Sequence, residues 1–301
     1  MLQKINLRTL LCFGLVVLIF SIIFGCAAKK AFWGDEKTGF IFNYQLPKDQ
    51  VWKYQATTKQ SSTQEVMGQN YETTTDVVSD YRIKGVALDK EKNNISQVAM
   101  DSISLVIKTM QGELKPDFGT IIGKEFGLTF SPKGKKVSFS DPESIKVDFG
   151  PMAGKREAES FFRDLFPRLP DNPIKIGDTW SVTEERTEPQ GGLKINIKTE
   201  TVNTLAGFET LDNVECLKIT AKTTGTLDGK GKQMGMDVNF EGDLEGSSVW
   251  YFAYKKSAFI RASSESLMEG TAALTGPQNL TVSVNQESKS EVKLVLPPST
   301  K

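Results

Sequence analysis

Leu193-Lys194-Ile195-Asn196-Ile197-Lys198 places an aliphatic side chain at every odd position and a polar one at every even position. Period two sends the two sets to opposite faces of an extended chain, the habit of an antiparallel sheet with one buried and one wet face. The same beat runs outward in both directions. Toward the N-terminus, Phe40, Phe42, Tyr44 and Leu46 alternate with Ile41, Asn43 and Gln45; Ile103, Leu105 and Ile107 alternate with Ser104, Val106 and Lys108; and Phe126, Leu128 and Phe130 repeat it. Toward the C-terminus it returns as Leu280, Val282, Val284 and then Val292, Leu294, Leu296. Thr and Ser crowd the polar side, as solvated strand positions do. A mostly β fold follows.

Turn chemistry punctuates the runs. Ser131-Pro132-Lys133-Gly134 separates Phe126–Phe130 from Val137–Phe139 as a hairpin, and Asp89-Lys90-Glu91-Lys92-Asn93 joins two long polar strands as a meander. The glycine-rich run from Gly225 to Lys232 reads as a flexible hairpin tip ahead of a strand through Val238 and Phe240. One segment breaks the beat. Ala158, Phe161, Phe162, Leu165 and Phe166 fall at helical spacing, so a short amphipathic helix is expected there, stopped by Pro167 and Pro170. Trp180 in Gly177-Asp178-Thr179-Trp180 opens a second half much as Trp52 in Val51-Trp52-Lys53-Tyr54 opens the first. The expected architecture is two related antiparallel sheets, or open half-barrels, over residues 39–168 and 169–301.

The first 25 residues stand apart. Lys4 and Arg8 precede an apolar run of 15 residues, Leu10–Phe24, which is short for a bilayer span of roughly 20 residues. A positive start, a short apolar core and Ile23-Phe24-Gly25-Cys26 resemble the lipobox signal of bacterial lipoproteins. The resemblance implies cleavage before Cys26 and a diacylglycerol on its sulfur; the competing reading is an uncleaved anchor helix with Cys26 incidental. At about 0.8 kcal/mol per buried methylene, two or three acyl chains make attachment effectively permanent. Ala27 and Ala28 lack the aspartate that retains many such proteins in the inner membrane, so the periplasmic face of an outer membrane is the expected address where two membranes exist. Residues 26–38 form a polar tether interrupted by Phe32 and Trp33, either at the headgroup boundary or packed on the domain.

Composition excludes several classes of function. Removing residues 1–25 leaves 35 basic and 37 acidic residues, too balanced for a nucleic-acid surface. With Cys12 in the signal and Cys26 acylated, Cys216 stands alone in a strand-like run, so the mature chain has no internal disulfide to stabilise it and depends on core burial. There is no histidine, which removes Ser-His and Cys-His triads and histidine metal sites. Asp178, Glu184 and Glu185 near Trp180 are the remaining carboxylate cluster, at a density expected by chance. Ser290-Glu291-Val292-Lys293 has the Ser-x-x-Lys spacing but alternates as a strand, and no Gly-Lys-Ser or Gly-Lys-Thr marks a phosphate loop. No catalytic residue, metal site or cofactor is assigned.

Trp250-Tyr251-Phe252-Ala253-Tyr254, turning at Lys255-Lys256-Ser257, is the densest aromatic segment. Alternation places Trp250, Phe252 and Tyr254 on one face, as core packing, the wall of an apolar ligand cavity or a partner surface. The order Gly127-Leu128-Thr129-Phe130-Ser131-Pro132-Lys133-Gly134, an aromatic helix ending in Leu169-Pro170, then Gly177-Asp178-Thr179-Trp180 resembles a group of secreted β-rich bacterial proteins with no assigned activity. More distantly, long curved strands with one helix are similar to lipoprotein carriers of the LolA and LppX kind, whose half-barrel shelters acyl chains. The expectation is a non-enzymatic, lipid-anchored envelope protein, a binding or structural module meeting the membrane through its anchor and an apolar ligand or another envelope protein through its sheet. Carriage of acyl chains is the alternative. Labelled palmitate is expected to enter the full-length protein and to be absent from a Cys26→Ala variant, read by autoradiography of the immunoprecipitate.

Overall fold

The computed structural model describes residues 33–149, 154–190, 192–233, 235–276 and 279–295. The signal, Ile23, Phe24, Gly25 and Cys26 lie outside them. Alternation persists here over unusually long strands. The first run comprises β1 (Val51–Val66), β2 (Gln69–Leu88), β3 (Asn94–Thr109), β4 (Glu125–Phe130) and β5 (Lys136–Ser140). The second comprises β6 (Thr179–Gln190), β7 (Leu193–Leu211), β8 (Val214–Gln233), β9 (Met236–Ala253), β10 (Ala258–Thr275) and β11 (Leu280–Leu294). At about 3.3 Å per residue, the 20 residues of β2 or β8 extend for roughly 66 Å. Tight turns hold the registers. Met67-Gly68 joins β1 to β2 with φ of 52° and 78°, and Asp212-Asn213 joins β7 to β8 with φ of 49° and 62°, the doubly positive geometry that matches strand twist.

Strand β11 pairs antiparallel with β1 from Val282↔Val66 to Leu294↔Tyr54. The sheet order is therefore β6-β7-β8-β9-β10-β11-β1-β2-β3-β4-β5, with Gly112–Leu114 beside the end of β3. This corrects the expectation of two related sheets. One antiparallel sheet crosses both halves of the chain and stays open, because its marginal strands β6 and β5 do not pair with each other. Alternation identifies a strand and its faces but says nothing of which edge meets which, so the joining of last strand to first has no local signature.

The core lies at one end of the sheet, on its inner face. Phe40–Leu46 is extended but only Phe40 belongs to a strand; the rest crosses the sheet and drops Phe42, Tyr44 and Leu46 into the core. Its backbone is held by Tyr44 N to Pro132 O at 2.8 Å and by Leu46 N to the buried Asn94 Oδ1 at 2.9 Å. The Tyr44 ring packs on Phe252 at 5.3 Å and on Phe166 at 4.9 Å, and Tyr54 Oη donates to Phe259 O at 3.0 Å.

The amphipathic helix expected over Ala158–Phe166 is reduced to a five-residue 3-10 helix, Ala158–Phe162, after which the chain runs irregularly to Pro170. Packing decides this. Phe162 lies on Phe126 at 5.5 Å while Phe166 lies on Phe130 at 4.6 Å. Phe126 and Phe130 are four strand residues apart, about 13 Å, whereas four helical residues advance only about 6 Å. The two rings reach their seats only if the chain between them is stretched. Phe166→Ala is expected to destabilise the fold by about 3–5 kcal/mol in urea unfolding, and Met67→Ala, at a position 72% exposed, by less than about 0.5 kcal/mol.

Candidate functional site

Register divides the inner face into zones. Nearest the core, Leu205, Ile219, Trp250, Ala262, Val292 and Ala56 form one row across β7 to β11 and β1. The next two rows are polar: Asn203, Ala221, Ser248, Ser264, Ser290 and Thr58, then Thr201, Thr223, Gly246, Ser266, Ser288 and Gln60. Within this belt Ser264 and Ser290 share a hydrogen bond of 2.7 Å, Thr201 and Thr223 one of 2.9 Å, and Trp250 Nε1 donates to Asn203 Oδ1 at 3.3 Å.

Beyond the belt the face turns apolar again. Ile197 and Ile195 on β7, Leu227 on β8, Val238, Phe240 and Leu244 on β9, Met268 and Leu274 on β10, and Val282 and Val284 on β11 share it. Val238 is 5% exposed and Phe240 and Met268 are each 9% exposed, yet none belongs to the hydrophobic core clusters at the other end of the sheet. Their shelter comes from the sheet itself, where glycines on neighbouring strands let a ring such as Phe240 lie against the backbone. A Cβ at Gly270 would stand 2.7 Å from Phe240 Cζ and 2.9 Å from Glu241 O, and one at Gly225 would stand 2.6 Å from Lys198 O. Gly225–Lys232 is thus the interior of β8, not the flexible hairpin tip expected from composition; the turn comes later, between Gln233 and Met236.

The segment from Ala158 to Pro170 acts as a strap across the open side. At one margin Phe162 stacks on Phe139 of β5 and Lys136 pairs with Glu159. At the other, three charged residues of β6 point inward, Glu184, Arg186 and Glu188, and two of them meet the strap. Arg168 contacts Glu184 Oε1 through Nε and a terminal nitrogen, both at 3.2 Å, and Glu188 Oε1 accepts from Arg163 at 3.2 Å and from Arg186 Nε at 2.9 Å. Inward charges on a marginal strand also discourage pairing with another strand. Between strap and belt lies a cavity of about 610 Å³, walled by Asp164, Arg168, Glu184 and Arg186 and floored by Trp250 and Phe259. Asp164, exposed at its mouth, makes neither a hydrogen bond nor an ion pair with any described residue.

The aromatics singled out by sequence pack in the core. Trp250 lies against Trp180 at 6.0 Å, Phe252 against Phe42 at 5.8 Å, and Tyr254 against Trp33 at 6.0 Å, so the tether aromatic Trp33 lies on the domain. The carboxylates do not converge: Asp178 accepts from Lys175 N at 2.8 Å, Glu184 faces inward, and Glu185 faces outward to Lys198 at 3.0 Å. Ser290 and Lys293 occupy opposite faces of β11. Burial pushes the Cys216 thiol up to about 11, more than nearby Lys256 lowers it, and Tyr44, Tyr54 and Tyr81 are raised mainly by burial. Sequence reading missed the hydroxyl belt and the inner-face glycines. Both were signalled by parity, Ser288 and Ser290 in step with Val284 and Val292, and Gly225, Gly229 and Gly231 in step with Leu227.

No family model and no curated protein matches this chain. Among solved structures it is similar to a DUF1329 family protein from Desulfovibrio piger, at 11% identity over 77% of this chain and 83% of that one, with a TM-score of 0.16. It is similar to the COG4313 outer membrane channel of Pseudomonas putida at 8% identity over 84% and 98%, TM-score 0.19, and to OccK2 of Pseudomonas aeruginosa at 7% over 82% and 98%, TM-score 0.24. Scores this low supply no residue correspondence. Gly270→Ala is expected to cost about 1–3 kcal/mol in urea unfolding, and about half of that in a Phe240→Ala background, where the ring it strikes is gone.

Proposed function

We propose that this chain is a lipid-anchored envelope protein whose distal inner face shelters the aliphatic chains of a lipid-like ligand. The observation that carries this is the second apolar zone, separated from the core by a polar belt, with Val238, Phe240 and Met268 at most 9% exposed although no core cluster includes them. A zone that served folding alone would be continuous with the core. Five strands at about 4.8 Å spacing and four rows at about 6.8 Å make a field roughly 20 Å each way, the dimensions of a long acyl chain. On these five strands its side chains carry no charge, and charge enters the same rows only at the margin, where Arg186 and Glu188 of β6 stand beside Ile197 and Ile195. The lipobox supplies the envelope address. It would also supply a membrane as the source of the ligand.

Native mass spectrometry of the full-length protein, released from membranes in a detergent micelle, tests this. Retained lipid adducts are expected on the wild type, and Val282→Asp is expected to reduce them by at least about fivefold, because a charge on this face must be desolvated by the chain. Unchanged melting temperature would show that Val282→Asp still folds. Wild-type protein free of lipid would overturn the proposal.

A further inference from the structure

Glu184 and Arg186 line the cavity beneath the strap together with the belt residues Asn203, Thr201 and Ser248, although on β6 the charges stand level with Thr199, Ile197 and Ile195, along the margin of the distal rows. We infer that the cavity there holds the zwitterionic head group of an amphiphile, its phosphate opposite Arg168 and Arg186 and its ammonium against Glu184, while the tail lies on the distal rows. This rests on the lipid-sheltering reading and adds to it the class of lipid selected.

Three observations carry the inference. The first is position, since a head group in the hydroxyl belt places the first carbons of its tail at the edge of the distal zone, with Leu244 and Met268 one row away. The second is charge balance. Three cations, Arg163, Arg168 and Arg186, face three anions, Asp164, Glu184 and Glu188, in a cluster whose paired side chains are 28–42% exposed and so reachable. The third is unused bonding capacity. Both Arg168 contacts fall on Glu184 Oε1, leaving Oε2 without a partner among the described residues; Arg186 uses only Nε; and Asp164 makes no pair. A lone anion would compete with carboxylates already seated on the arginines, and a lone cation would meet the arginines themselves. A phosphate and an ammonium joined in one head group satisfy both sets with charge-assisted hydrogen bonds.

The test offers the full-length protein, in the same micelle, equimolar phosphatidylethanolamine, phosphatidylglycerol and diacylglycerol with identical chains, and compares retained adducts by native mass spectrometry. Wild-type protein is expected to hold phosphatidylethanolamine over each of the others by at least about fivefold. Glu184→Gln and Arg186→Gln are each expected to bring the three lipids within about twofold of one another, chiefly through loss of phosphatidylethanolamine. Ser248→Ala, in the belt and outside the ion pairs, serves as a second variant should either charge change unfold the chain, and is expected to weaken the preference. Equal retention of all three by the wild type would show that the ion pairs serve only to hold the strap and would overturn the head-group site, leaving tail binding intact. Preference for phosphatidylglycerol would overturn it in favour of an anion site. Retention of none would instead remove the reading on which it rests.

Discussion

Thirteen paired positions between β11 and β1, Val282↔Val66 through Leu294↔Tyr54, hold the rest of this architecture together. Without that seam the chain would be two sheets with four open margins. With it, the aromatic seats of the core are shared between halves, since Tyr54 of β1 stacks on Phe259 of β10 at 5.8 Å and bonds to its carbonyl. Contacts so distant in sequence require a large closure of chain entropy before they are rewarded, which places this protein among slow-folding topologies. No disulfide joins the described residues, so the seam and the core are the means by which the two halves stay joined.

Much of the fold was legible because alternation is a local property. The strands around Phe126, Ile103, Leu193 and Val282 lie where period two placed them, as do the turns at Ser131–Gly134 and Asp89–Asn93. The Asp89 turn is explained by its own chemistry, the carboxylate accepting Asn93 N at 2.8 Å, Glu91 N at 2.9 Å and the Asn93 side-chain amide at 2.9 Å, and that side-chain bond is the main cause holding it below the usual carboxylate range. Besides the division into two sheets, two readings failed for non-local reasons. The aromatic stripe Ala158–Phe166 has helical spacing, but Phe162 and Phe166 answer to rings on β4 too far apart for a helix to reach. The glycines of β8 look like a loop in isolation and are strand positions because neighbouring backbones press against them.

The candidate site was less visible still. Its parts come from β6 to β11, β1 and the strap, and only pairing registers bring Asn203, Ser248 and Ser264 into one row. A sequence shows that Ser288 and Ser290 interrupt an aliphatic parity; it does not show that five other strands interrupt theirs at the same height. The zoning of the inner face into apolar, hydroxylated and again apolar bands is a property of the assembled sheet. Trp180 and Trp250, which meet at 6.0 Å, mark the upper limit of the core and the lower edge of the belt.

Trp33 packs against Tyr254, at the turn end of β9, while Val238 and Phe240 occupy the far end of the same strand. Fifteen residues of strand between Val238 and Ala253 amount to a stand-off of about 50 Å at 3.3 Å per residue. The stretch from Cys26 to Trp33 spans at most about 25 Å when fully drawn out. The proposed mooring at Cys26 would therefore give the chain a leash shorter than its own lever arm. Under the proposed function, a lipid on the distal rows would face a surface opposite the mooring without any reorientation, and exchange with the bilayer of attachment would require the whole body to tip over.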